Sequence, residues 1–177
     1  IIMPMTLRED LILNSAQITT HINNHFPWRS DNVFRETHFG YRYTSPPQQG
    51  YQAAPSDITR LLEVYHNGVF RLARQHSKID SQNIQAEEIS EDLKFALKFA
   101  REIYLHSRYG GFCHVLFALH GINGTNLLYG AAEKSPYPIE QNSLRVSIEK
   151  QADRLTEKDT EEYIHLNVRQ AFGYSSP

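Results

Sequence analysis

The sequence predicts an α+β domain, on three observations. Segments of helical period and short strand-like segments follow one another in mixed order, the turns between them are of hairpin length, and neither a regular βαβ alternation nor a glycine-rich nucleotide loop is present. With 177 residues, 40% of them hydrophobic, the chain is long enough for one buried core and short for two. A single domain over 1–177 is expected, with a helical segment at 1–26 ahead of a main core at about 27–177.

Each element has its own signal. Leu7, Leu11, Ile12, Ile18 and Ile22 recur at helical spacing after Pro4. Residues 27–55 are rich in Pro, Gly, Asn, Ser and aromatics and read as loop, with strands at 33–35 and 39–44 before the Pro46-Pro47 stop. Ser56-Asp57 reads as an N-cap for a helix over 58–65, with Ile58, Leu61, Leu62 and Tyr65 on one face and Gly68 at its end. Residues 71–85 show no clean period and read as loop with one short strand around Ile79. Ser90 then caps a helix carried by Leu93, Leu97, Ala100, Ile103 and Tyr104, with Glu91 and Asp92 in its first turn and Arg108-Tyr109-Gly110-Gly111 at its end. The apolar run 112–120, bounded by Gly111 and Gly121, reads as a buried strand, and a Gly-Ile-Asn-Gly turn leads to a second at 126–132. Alternation predicts a strand at 144–148, while 156–167 fits a helix or a turn entering a strand.

Eighteen basic against twenty acidic residues, net −2, leave no footprint for nucleic acid or an anionic membrane surface, so neither is expected as a partner. The longest apolar runs fall far short of the roughly 20 residues of a membrane-spanning helix. Cys113 is the sole cysteine, which excludes an internal disulfide and a thiolate metal site. The opening Ile1-Ile2, without methionine or signal pattern, is expected of a processed or trimmed product.

Nine histidines form no His-Glu-x-x-His pair, and His114 and His120 would lie about 20 Å apart on one strand, so no metal is expected. Cys113 and His114, neighbours on a strand, point to opposite faces and cannot form a nucleophile–base dyad. No Gly-x-Ser-x-Gly turn anchors a serine hydrolase. Arg42 stands out because it sits between Tyr41 and Tyr43 immediately before a Thr-Ser-Pro-Pro stop. A guanidinium there could hold phosphate in two-pronged fashion, or be a plain surface arginine on an edge strand. Glu161-Glu162 belongs to a charge cluster with Glu157 and Asp159 that is equally consistent with a solvated face.

Three stretches in order, Tyr41-Arg42-Tyr43-Thr44-Ser45-Pro46-Pro47, Leu128-Tyr129-Gly130-Ala131-Ala132 and Thr160-Glu161-Glu162-Tyr163-Ile164, make the chain similar to the catalytic domain of the bacterial ADP-ribosylating toxins, the pertussis- and cholera-toxin-like family. The resemblance covers about 39–167 with gaps and implies a split β-sandwich with peripheral helices, a mono-ADP-ribosyltransferase, and NAD as substrate. It implies that Arg42 holds the dinucleotide phosphates, that Tyr41 or Tyr43 covers the nicotinamide ring, and that catalytic Glu162 stabilises an oxocarbenium-like sugar cation. Thr160 stands where the family has a Gln or Glu that engages the acceptor side chain, and Ser81 is the nearest counterpart of a Ser-Thr-Ser motif that the chain lacks. A host protein target, room for a delivery or partner subunit, and secretion by a bacterium with action in the host cytoplasm follow from the same resemblance. The lost Ser-Thr-Ser equally suits a degenerate member of the fold that acts as a protein-binding module, and an unrelated α+β interaction domain is the third reading.

Overall fold

A computed structural model describes residues 1–5, 20, 33–45, 60–75, 83–130 and 133–174. The apolar, β-branched start of the chain forms β1 (Ile2–Pro4), a three-residue strand placed inside a seven-stranded sheet and not part of a helical lead-in. The helix expected from Leu7 to Ile22 lies outside the described residues, Thr20 excepted. β2 (Val33–Thr37), β3 (Gly40–Ser45), β4 (Arg60–Tyr65) and β5 (Phe70–Arg74) pair in succession as an antiparallel meander. The β2–β3 turn is fastened by Thr37 Oγ1 donating to Gly40 O at 2.9 Å. At Gly40 a Cβ would meet Val64 O at 2.1 Å, so β3 and β4 approach this closely only over a glycine.

The helix expected over 58–65 is instead strand β4, and its supposed cap at Ser56-Asp57 lies outside the described residues. Six residues cannot separate a period of 3.6 from one of 2. Here pairing decides, because Leu62 and Val64 reach the core only in the extended form that β3 and β5 bracket from both sides. Gly68, at φ 82, is the bend of the β4–β5 hairpin and ends no helix. The span read as loop over 71–85 holds most of β5 and all of β6 (Asn83–Gln85), while Ile79 lies outside the described residues.

Helix α1 (Ala86–His106) starts four residues before Ser90, with Glu87 and Glu88 in its first turn. Ser90 is interior to the helix, and no side chain caps α1 at Gln85. Its end is closed not by the Gly110-Gly111 pair but by Arg108 in the left-handed region, φ 55, with Tyr109 N–H returning to Tyr104 O at 2.8 Å. β7 (Phe112–His120) matches the bounded apolar run. β8 (Asn126–Tyr129), β9 (Glu133–Lys134) and β10 (Ser143–Gln151) follow, the last longer at both ends than 144–148. A 3₁₀ turn at Ala152–Arg154 leads to α2 (Lys158–Ala171), which resolves the open reading of 156–167 as helix.

The architecture is α+β. The large sheet runs β10-β7-β1-β5-β4-β3-β2, every pair antiparallel, and β6-β8-β9 form a second, three-stranded sheet. One face of α1 buries Leu93, Leu97, Phe99, Ala100, Ile103 and Tyr104 in a core shared with Ile2, Leu62, Val64, Phe70 and Val115. Phe70 and Phe99 bring β5 and α1 together with ring centroids 5.3 Å apart. α2 packs on β10 and α1, burying Ile164 and Val168.

Candidate functional site

Arg42 projects from β3 on the face opposite Tyr41 and Tyr43, as strand alternation requires. The register sets Arg35, Arg42, Glu63 and Arg71 side by side across β2 to β5. Glu63 is only 5% exposed, and its carboxylate gathers the row. Arg42 Nε donates to Oε1 at 2.9 Å and Nη2 lies 2.7 Å from the same atom, while Arg71 Nη1, at 3.4 Å, and the Tyr65 hydroxyl, at 3.2 Å, reach Oε2. The guanidinium that the sequence offers to a phosphate is thus engaged by a protein carboxylate. Tyr41 is buried against His66, centroids 5.5 Å apart, and Tyr43 is half-buried against the core. The two tyrosines and Arg42 therefore do not flank one ligand.

The acidic motif lies on a helix, not on a strand. Thr160 is completely buried, whereas Glu162, two residues and roughly 200° further round α2, is exposed and paired with Lys158 at 2.8 Å. Glu161 is the inward member of the doublet. It accepts from Ser90 Oγ at 2.8 Å and has Lys94 and His165 each at 3.4 Å. Burial lowers the pKa of His165, against the raising influence of Glu161. In the middle stretch, Gly130 N–H donates to Glu87 Oε1 at 2.6 Å, and the Tyr129 ring packs edge-on against Tyr174 beneath the Arg169 guanidinium. Ser81, Ala131 and Ala132 lie outside the described residues.

The structure does not bring Arg42 and Glu162 together. β3 and β10 stand five strand positions apart, about 24 Å along the sheet at ~4.8 Å per strand, and α2 rides on β10. Cys113 is fully buried and its thiol is pushed up to about 12 by burial, which leaves no thiolate nucleophile at neutral pH. No group of three or more His, Cys, Asp or Glu side chains poised for a metal occurs among the described residues.

A different feature gathers side chains. Between β5 and β7 the sheet runs through β1, which meets β5 at Ile2–Phe70. Beyond that point a cleft of about 620 Å³ opens between the two strands, with Leu72 and Phe117 on its walls and Ile84, Ile89, Leu93 and Ala96 beneath. Among its charged groups Arg74 pairs with Asp92 at 3.3 Å and Glu88 at 2.9 Å, Arg71 reaches Glu63 at 3.4 Å, and the Ile1 amino group donates to Leu116 O at 2.8 Å. Comparison of the chain with protein-family models, with curated proteins and with solved structures finds no match. Sequence reasoning did not find this cleft. Two signals for its walls were available, the β-branched pair Ile1-Ile2 and the alternation in Phe70-Arg71-Leu72-Ala73-Arg74.

Proposed function

We propose that this chain is a binding domain that docks a partner polypeptide and does not consume NAD. The observation that carries the reading is the placement of Arg42 and Glu162 apart from each other. A transferase needs one NAD to touch both the phosphate-holding arginine and the carboxylate that stabilises the sugar cation. Here Arg42 lies on β3, and Glu162 lies on α2, which packs on β10 at the far end of the sheet; each is held by its own ion pair. A degenerate ADP-ribosyltransferase-like split β-sandwich and an unrelated α+β interaction domain lead to the same expectation. A host protein as the acceptor of ADP-ribose belongs only to the transferase reading, whereas a host or a bacterial protein suits the binding module.

The test is release of nicotinamide from NAD, measured for the wild type beside Glu162→Gln. The expected outcome is no release above the uncatalysed background in either protein. Release by the wild type that disappears in Glu162→Gln would overturn the binding reading and restore the enzymatic one.

A further inference from the structure

We propose that the outer edge of β10 is a self-association surface, on which a second copy of this chain pairs antiparallel about a two-fold axis through Ser147. This goes beyond the binding-domain reading and does not depend on it. β10 ends the large sheet with nine residues in unbroken register with β7, against five in β2 at the other edge. Ala152 N–H donates to Gly111 O at 2.9 Å and Gly121 N–H to Asn142 O at 2.8 Å, so the even-numbered residues of β10 direct their main-chain groups toward β7. Ser143, Arg145, Ser147, Glu149 and Gln151 therefore turn theirs outward. Among the described residues no backbone hydrogen bond reaches them there.

An edge strand is normally kept from pairing by proline, a bulge, shortness or an unmatched charge. β10 has neither proline nor bulge, and Lys150, on its core side, is drawn to Asp159 and Glu157 at the start of α2. Two charges remain, Arg145 and Glu149, both exposed on the face away from the core. They stand two residues to either side of Ser147, beside Ala118 and His114 of β7. Within one chain neither makes an ion pair among the described residues.

A two-fold axis at Ser147 turns this arrangement into complementarity. Arg145 of one copy comes opposite Glu149 of the other, and the same pair repeats on the far side of the axis. On the core side Val146 meets Ile148, and Leu144 meets the aliphatic stem of Lys150. Moving the axis to Arg145 or to Glu149 sets like charges opposite each other, so charge selects the register. Residues 143–151 exchange on the order of ten main-chain hydrogen bonds and join two seven-stranded sheets into one. Tyr163 extends the contact. Glu161 of α2 faces Ser90 of α1, and Tyr163, roughly 200° further round, is exposed on the side of α2 away from α1, toward the second copy.

The test is sedimentation equilibrium of the 177-residue chain from about 1 to 200 μM, a range that brackets a micromolar Kd. The wild type should approach twice 20.5 kDa as concentration rises. Arg145→Glu and Glu149→Arg each place two like-charge pairs across the axis and should raise the dimer Kd about tenfold or more. The double variant Arg145→Glu/Glu149→Arg restores opposite charges and should return the Kd to within about threefold of the wild type. A wild type that stays monomeric, single variants that dimerise as it does, or a double variant no better than the singles would each overturn the proposal. Amide hydrogen exchange checks the wild type without any substitution. The Arg145, Ser147 and Glu149 amides should exchange freely in the monomer and slow about tenfold where dimer is in tenfold excess. Protection of those amides already in the monomer would place another segment of the same chain on the edge and overturn the proposal as well. Nicotinamide release has no part in this test, so the dimer and the binding-domain reading fail separately.

Discussion

At the scale of single residues, Glu63 shows why an arginine in a suggestive motif need not be a ligand-binding arginine. Its carboxylate is buried, and a buried charge is tolerated only where partners surround it; Arg42, Arg71 and Tyr65 are those partners. Arg42→Ala removes the shortest of these contacts and leaves Arg71 and Tyr65 in place. The expected cost is about 1–2 kcal/mol in urea denaturation, with Arg42→Lys in between. Glu162→Gln should leave the denaturation midpoint unchanged, because the side chain is exposed and its partner Lys158 lies one turn away on the same helix. A large loss of stability on Glu162→Gln would contradict this placement. The sequence motif held the right residue types, but which member of a doublet such as Glu161-Glu162 faces inward depends on the helical phase. That phase stayed open as long as 156–167 read equally as helix or strand.

At the scale of elements, β7 was legible because glycines bound an aromatic, apolar run of strand length. β4 was not legible, since Leu61, Leu62 and Tyr65 satisfy a helical face as well as Leu62 and Val64 satisfy a strand, and the neighbours that decide are far away in sequence. The α1–α2 contact has its own test. His165, on α2, faces Glu161 of its own helix, which Lys94 and Ser90 of α1 also engage, and burial holds its pKa below the ordinary 6.5, with the Lys94 charge adding to the lowering. A folded state that gives up this proton more readily than the unfolded chain is favoured above pH 6.5 and loses that advantage as pH falls below it toward the lowered value. The melting temperature should therefore drop between pH 7.5 and pH 5.5. The drop should be smaller in His165→Gln; an equal drop in both proteins would place the pH sensitivity elsewhere.

At the scale of the whole molecule, the α+β class could be read from the mixed order of elements, but the sheet order could not. Local pattern says which residues form strands, and nothing in Ile1-Ile2-Met3-Pro4 announces that this piece sits between β5 and β7. The cleft was hidden for the same reason, as it is a property of who pairs with whom. Tyr104 ties these pieces together, its hydroxyl donating to Gly68 O at 2.8 Å in the β4–β5 turn and lying 3.5 Å from Ile2 O of β1. Tyr104→Phe keeps the ring and leaves the Gly68 carbonyl without its side-chain donor. The expected cost is about 1–2 kcal/mol, or roughly 3–6 °C in Tm by calorimetry, and a change below half a kcal/mol would argue that water replaces the bond.

The placement of β1 also governs how the chain reaches this state. The β2–β3 and β4–β5 hairpins close over short loops, whereas the bonds between Ile1 and Leu116 join residues 115 apart. The loop-closure cost of that contact is larger than that of either hairpin. In the folded sheet β1 is the spine that joins two leaves, the β2–β5 meander and the β7–β10 ladder.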